Sequence, residues 1–199
     1  QAMQRMIDSS AARTRARLAE LPDGEYHACD FLEHDGHSNE LYKVDVRLTK
    51  KGDRLKLDYS GSSRQSPGFI NATRAGLMGG VAGSLLTTLG WDIQWNQGIL
   101  DFAEVVAPDG LICTAQFPAP VGSATVEAIW VISNATMLAL NKILAAAPRY
   151  AHRAQGVNDG AMATFNLGGI NQYGEPFGLH LMDPIAGGSG AWSTKDGAD

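Results

Sequence analysis

The clearest pattern along the chain is alternation. Val44, Val46 and Leu48 take one side of an extended segment, and Lys43, Asp45, Arg47 and Thr49 take the other. After Lys50-Lys51-Gly52-Asp53 the period of two resumes at Leu55, Leu57 and Tyr59. Successive strand side chains point to opposite faces, so this is a hairpin with one buried and one polar face and a turn at Lys50-Lys51-Gly52-Asp53. A helical period runs through residues 2–20, with Met3, Met6, Ile7, Ala11 and Leu18 set among charged residues. It stops at Leu21-Pro22-Asp23-Gly24.

Residues 72–89 predict a second helix with an unusual face, because Ala72, Ala75, Gly76, Gly79, Gly80 and Gly83 recur at spacings of three and four. Glycine costs a helix about 1 kcal/mol relative to alanine, so such a face makes sense where another backbone packs very close. Residues 102–106 and 111–115 read as a second hairpin, turned by Pro108-Asp109-Gly110. The strongest helix spans 125–146 and ends at Pro148, with Val126, Ile129, Trp130, Ser133, Met137, Leu140 and Leu144 as its inner stripe. Two more strands follow at 161–167 and 176–182, and then a glycine loop at 186–191. Strands and helices interleave without a repeating βαβ rhythm. The expected class is α+β, with antiparallel hairpins packed against two long helices through glycine-rich connections. The first helix opens without a capping residue, so residues 1–199 are expected to be a single internal portion of a larger subunit, with a sub-boundary near 148–158.

Composition changes the picture little, apart from glycine at 23 of 199 residues, which implies tight turns and close backbone contacts. The net charge of -5 provides no basic face for nucleic acid. No apolar run is expected to span a bilayer, and the polar opening QAMQRMIDSS is not a signal peptide, which suits the cytoplasm. Cys29 and Cys113 are isolated and read as reduced, partly buried thiols.

Four segments carry candidate chemistry. Residues 27–37 hold His27, Cys29, Asp30, Glu33, His34, Asp35 and His37, a set rich in metal-ligand types whose spacing matches no closed zinc pattern; it reads as a solvated loop. His180 and Asp183, just before Pro184, lie where a strand runs out towards the glycine loop. That loop, Gly187-Gly188-Ser189-Gly190, lacks the following Lys-Ser/Thr of a phosphate cradle. Gly122-Ser123-Ala124-Thr125 opens the long helix, where Ser123 or Thr125 is an N-cap or the same amides hold a carboxylate or oxyanion. Glu127 in the first turn suits the helix dipole.

Six ordered blocks resemble the hydantoinase B/oxoprolinase family, which includes N-methylhydantoinase B, the C-terminal half of 5-oxoprolinase and the large subunits of acetone and acetophenone carboxylases. Pro22-Asp23-Gly24-Glu25-Tyr26 resembles its PDG-x-Y entry, and Asp58-Tyr59-Ser60-Gly61-Ser62-Ser63-Arg64-Gln65 its DFSGTSPQ strand end. Ile70-Asn71-Ala72-Thr73 is similar to INAT, Asn96-Gln97-Gly98 to N-x-G, and Ala107-Pro108-Asp109-Gly110 to APEG. Gly187-Gly188-Ser189-Gly190-Ala191 with Lys195-Asp196-Gly197 resembles the GG-x-GAR…DG close. Trp192 stands in place of that final arginine, His180 in place of a frequent glutamate, and Ser123 where many relatives have asparagine.

The resemblance implies a catalytic-subunit portion of an ATP-dependent cyclic amidase, with an ATP-dependent ketone carboxylase as the alternative and an assembly scaffold without catalytic residues as the rival. It implies ATP and Mg in a hydantoinase A-type partner subunit, the remainder of the parent chain as a further partner, and a metal ion in the part of the family not represented here. Site lining would fall to His180 and Asp58 as catalytic residues. Ser60, Gly61, Ser62, Asn71, Gly122, Ser123, Thr125, Gly187, Gly188 and Gly190 would bind substrate or anion. No residue of this chain inherits a metal-ligand role. The scaffold reading would rest on the glycine-faced helix and on Trp91 and Trp95 as exposed aromatics.

Overall fold

A computed structural model describes residues 1–157, 162–184 and 189–197. Helix α1 (Ala2–Ala19) leads into strand β1 (Gly24–Leu32), then β2 (Tyr42–Lys51) and β3 (Arg54–Asp58). Helix α2 (Arg74–Thr88), strand β4 (Ala103–Val106) and helix α3 (Ala128–Ala146) follow, and the hairpin β5 (Met162–Ile170) and β6 (Pro176–Pro184) comes last. The fold is α+β.

Strands β1 to β4 form one sheet in chain order, antiparallel except for the parallel pair β3–β4. The expected hairpin is β2–β3, with Val44, Val46, Leu48, Leu55 and Leu57 buried on its inner face. Helices α2 and α3 pack against each other, and α3 covers that face over β1 and β2. Burial of these apolar side chains is the main favourable term for the layer. Tyr59, Phe102, Ile99 and Ile112 extend the core beyond the sheet.

Five expectations change. First, residues 27–32 are strand rather than loop. Their inward positions, Ala28 and Leu32, are buried, while His27, Cys29 and Phe31 point outward, so a polar outer face masked the period. Second, β2 continues through Lys50, whose side chain turns inward and donates from Nζ to the carbonyl of Leu21 and to Asp23 Oδ1 at 2.7 Å. Third, residues 111–115 do not pair with β4. Ile112 and Ala115 instead donate to the carbonyls of Ser63 and Ala72, so the segment crosses the 60–73 loop while β4 pairs with β3. Fourth, α3 begins at Ala128 with Glu127 at the N-cap and no side-chain cap, so neither Ser123 nor Thr125 caps it. Its buried positions include Ala128, Val131, Ile132, Ala135, Ala139 and Ile143 as well as the expected Leu140 and Leu144, because it is wedged between the sheet and α2. Fifth, α3 is long and apolar enough to cross a membrane by length and composition, contrary to the expectation from its sequence, yet here it is a core helix.

The glycine face of α2 is half used. A Cβ at Gly76 would stand 2.9 Å from Ile129 Cδ1, and one at Gly80 would stand 2.8 Å from Ile132 Cγ2. Gly79 and Gly83 meet nothing within 4 Å. Cys29 is partly buried and Cys113 buried, both free, and burial pushes the Cys113 thiol up.

Candidate functional site

Three loops meet at one end of the sheet: residues 33–41 after β1, 60–73 after β3, and 116–127 before α3. The knot that joins them is polar and buried. Asp35 Oδ1 accepts the amides of His37 and Ser38 at 2.8 and 2.7 Å, while Oδ2 accepts the hydroxyls of Tyr42 and Ser66, each at 2.9 Å. These donors hold the Asp35 carboxyl well below the usual carboxylate range, the Ser38 and His37 amides contributing most. Asn71 completes the knot. Its oxygen accepts the Ser66 amide at 2.7 Å, and its Nδ2 donates to the carbonyls of Ser66, Gly68 and Pro120. A Cβ at Gly68 would lie 1.9 Å from the Asp35 carbonyl oxygen, so only glycine allows the two loops to touch there.

The knot pins the segment that enters α3. Ser123 donates both its amide, at 3.0 Å, and its hydroxyl, at 3.3 Å, to the carbonyl of Phe69. Gly122 and Thr125 remain exposed on either side. Glu127 then stands half-buried at the N-cap, making no capping bond. Burial raises its carboxyl above the usual range, against an opposing pull from His34. Ser123, Gly122, Thr125, Asn71 and Glu127 thus share one neighbourhood.

Asp58 and the following turn belong to a second neighbourhood, the outer face of the sheet. Asp58 Oδ1 accepts the Ser60 amide at 2.9 Å. Bonds from Ser60, then the nearby charges of Lys56 and Arg47, keep its carboxyl below the usual range. The turn folds back over β2, where Ser62 Oγ accepts the Asp45 amide at 3.0 Å. Gly61 lies so close to Asp45 that a Cβ would come within 2.6 Å of its Oδ1. The Asp45 side chain is only 5% exposed and is held by His27 Nε2 at 2.8 Å and Lys43 Nζ at 3.1 Å. Burial works against its ionisation, but those two partners prevail and lower its carboxyl. Beside this group, Glu25, Tyr26, His27, Arg47, Thr49, Lys56 and Asp58 line an open depression of about 560 Å³.

The remaining candidates lie apart from both neighbourhoods. The backbone sets His180 on β6 opposite Asn166; its side chain, like Gly187 and Gly188, lies outside the described residues. Gly190 lies against Gly156, where a Cβ would approach the Gly156 oxygen to 2.1 Å, and its carbonyl accepts Gln155 Nε2 at 2.9 Å. The set at 27–37 disperses, with His27 and Cys29 on the outer sheet face and Asp35 in the knot. Among the described residues, no three His, Cys, Asp or Glu converge as a metal site. Trp91 is partly buried between the guanidinium groups of Arg17 and Arg153, at 3.9 and 4.0 Å from its ring centre, whereas Trp95 is exposed. Sequence reasoning missed Ser66 and Asp45, and read Asp35 as part of a solvated loop rather than as a buried acceptor. Their only local signals are the Asp35-Gly36 pair and a carboxylate on a polar strand face.

Comparison with known proteins gives this geometry a context. The chain is 26% identical to the caprolactamase subunit beta of Pseudomonas jessenii over 96% of its own length and 32% of that subunit. It is 25% identical to the acetophenone carboxylase delta subunit of Aromatoleum aromaticum over 98% of its length and 28% of that subunit. The crystal structure of the ATP-dependent caprolactamase from Pseudomonas jessenii superposes with a TM-score of 0.74 at 25% identity, covering 96% of this chain and 32% of that one. The chain therefore spans about a third of the length of such relatives. The Hydantoinase B/oxoprolinase family model matches residues 1–199, and the chain belongs to that family.

Proposed function

We propose that this chain is part of the catalytic subunit of a cytoplasmic, ATP-dependent cyclic amidase of the hydantoinase/oxoprolinase type, working with a hydantoinase A-type ATP-binding subunit. The observation that carries the reading is a likeness to an ATP-dependent caprolactamase that runs through 96% of the chain in both sequence and fold. In the overall reaction a ring amide and water give an open-chain amine and carboxylate, with ATP hydrolysis driving the opening. The metal ion of such a complex would belong to parts of the subunit outside this chain.

The described residues suit the acyl-transfer half of that reaction. Gly122, Ser123 and Thr125 lead into the N-terminus of α3, whose dipole favours negative charge developing on a carbonyl oxygen. Glu127, with its carboxyl raised by burial, is suited to move a proton between water and the leaving amine. Asn71 acts by positioning, since it is fully buried and its side chain bonds its own loop at Ser66 and Gly68 to the 116–127 loop at Pro120.

The test is ATP consumption by the full-length complex with caprolactam, hydantoin, 5-oxoproline, acetone and acetophenone, with and without bicarbonate. Stimulation by a cyclic amide without bicarbonate is expected, together with a fall of about 10²-fold or more in kcat for Glu127→Gln. The likeness to an acetophenone carboxylase subunit over 98% of the chain favours a second reading, ketone carboxylation, which bicarbonate-dependent turnover of a ketone would select. Full turnover in both Glu127→Gln and Ser123→Ala would instead make this region a scaffold.

A further inference from the structure

The outer face of the β1–β3 sheet reverses the charge of the chain. Against a net charge of -5 overall, it carries Lys43, Arg47, Lys51, Arg54 and Lys56. Two carboxylates on this face are already engaged. Asp45 is held by His27 and Lys43 at 2.8 and 3.1 Å, and Asp58 Oδ1 accepts the Ser60 amide. Three cations are not: among the described residues, the side chains of Lys51, Arg47 and Lys56 make no hydrogen bond or ion pair, and of these Arg47 and Lys56 lend their charge to Asp58. Both line the depression of about 560 Å³, a volume within the range of small-molecule sites. Arg47 sits directly across from His27 on β1 and from Asp58 on β3, at the centre of the face. The imidazole of His27 is fixed by its bond to buried Asp45, which leaves Nδ1 turned away from that bond, on a side chain 56% exposed.

We propose that this face is a binding site for a small molecule bearing one oxyanion group, a carboxylate or a phosphate, gripped by Arg47 and Lys56 beside the Asp45-oriented His27. A guanidinium offers two parallel donors that match either oxyanion, and Lys56 adds a point charge from the neighbouring strand. The strands are hydrogen-bonded neighbours, so the cations are held in register before the ligand arrives. Glu25, at the rim, is the lining carboxylate without a bond or ion pair among the described residues, and its charge disfavours polyanions. This site lies on the sheet face rather than at the α3 entrance, and it stands whether or not the reaction proposed above is correct.

The experiment is calorimetric titration of the full-length complex with inorganic phosphate and, separately, with acetate, in wild type and in the double variant Arg47→Gln/Lys56→Gln. Arg5→Gln, on the exposed side of α1, is the control. Saturable binding weakened at least tenfold in the double variant, but unchanged in the control, is expected. Phosphate bound at a nucleotide site elsewhere is common to all three proteins and drops out of the difference. An effect with phosphate alone assigns a phosphate-bearing ligand, and one with acetate alone a carboxylate-bearing ligand. Equal binding of both anions by wild type and double variant overturns the site, as does the absence of binding. Should the double variant fail to fold, Lys56→Gln at its exposed position repeats the comparison, with a severalfold weakening expected and no change overturning the proposal.

Discussion

Asp35 shows how much one side chain holds at the end of the sheet. It is fully buried, yet two amides and the hydroxyls of Ser38, Tyr42 and Ser66 point at its oxygens. An aspartate whose folded pKa is depressed contributes stability that is complete above its unfolded value, near 3.9, and lost as pH falls through the folded value. Asp35→Asn replaces one acceptor with a donor, so the variant is less stable than wild type at pH 7. The gap between the two should close progressively as pH drops below about 4. Chemical unfolding of both proteins at pH 7, 4, 3 and 2 measures it, and a gap independent of pH would remove Asp35 from the knot's electrostatics. Nothing in the local sequence announces this role. Asp35-Gly36 reads as an exposed turn, because its partners Tyr42 and Ser66 come from other segments and appear only after the loops converge. Asn71 and Thr73, by contrast, stand in a recognisable block, and the structure explains the block physically. Asn71 ties the 60–73 loop to the 116–127 loop, and Thr73 caps α2 through the Gly76 amide.

At the scale of elements, the glycine face of α2 was legible as a close-packing surface, but its partner was not. Spacing gives the face; only the tertiary arrangement shows that α3 lies against Gly76 and Gly80 and that Gly79 and Gly83 face open space. The two kinds of position should respond with opposite signs. Gly80→Ala drives a methyl into Ile132 and towards the Ile129 carbonyl at 3.3 Å, which should cost about 1–3 kcal/mol. Gly79→Ala meets nothing and removes backbone freedom from the unfolded chain, which should stabilise by roughly 0.5–1 kcal/mol. Melting temperatures of the two variants settle the matter, and a fall in both would mean that the far side of α2 is also packed. The β2–β3 hairpin was readable because one face is apolar throughout. Strand β1 was hidden because its outward positions carry His27, Cys29 and Phe31, residues that also suit a loop or a ligand cluster. The missing 111–115 hairpin has a similar cause, since its turn chemistry is real but its amides bond to the 60–73 loop instead of to β4.

Across the whole molecule, the family's ordered blocks act as latches between segments distant in sequence, and the Asn96-Gln97-Gly98 block shows why. Helix α1 has few apolar contacts to hold it: its buried positions are Ser10, Thr14 and Leu18. It docks instead through polar bonds to residues 89–101. Ser10 Oγ donates to the Gln94 carbonyl at 3.0 Å and accepts Asn96 Nδ2 at 2.8 Å, while Arg17 pairs with Asp92 at 2.7 Å. Arg17 also stacks on Trp91, whose other face receives Arg153, so the N-terminal helix is joined to the segment that follows α3. Gly98 makes the approach possible, because a Cβ there would stand 2.2 Å from the Ile7 carbonyl oxygen and 3.0 Å from the Ala11 amide. Both are backbone atoms of α1 and cannot rotate away, so Gly98→Ala must push the helix off its seat. The expected loss is about 1–3 kcal/mol of local stability, seen as faster hydrogen exchange across α1 with the β2–β3 amides unchanged. Uniformly faster exchange would mean that α1 and the sheet unfold as one unit, and unchanged α1 protection would mean that polar docking is not what holds the helix. The same seat reaches the C-terminal end of α3, since the Tyr150 hydroxyl, just beyond α3, donates to Glu20 at 2.7 Å at the end of α1. A helix seated mainly by polar bonds is therefore coupled, through Glu20 and Trp91, to the far end of the helix whose start carries Glu127.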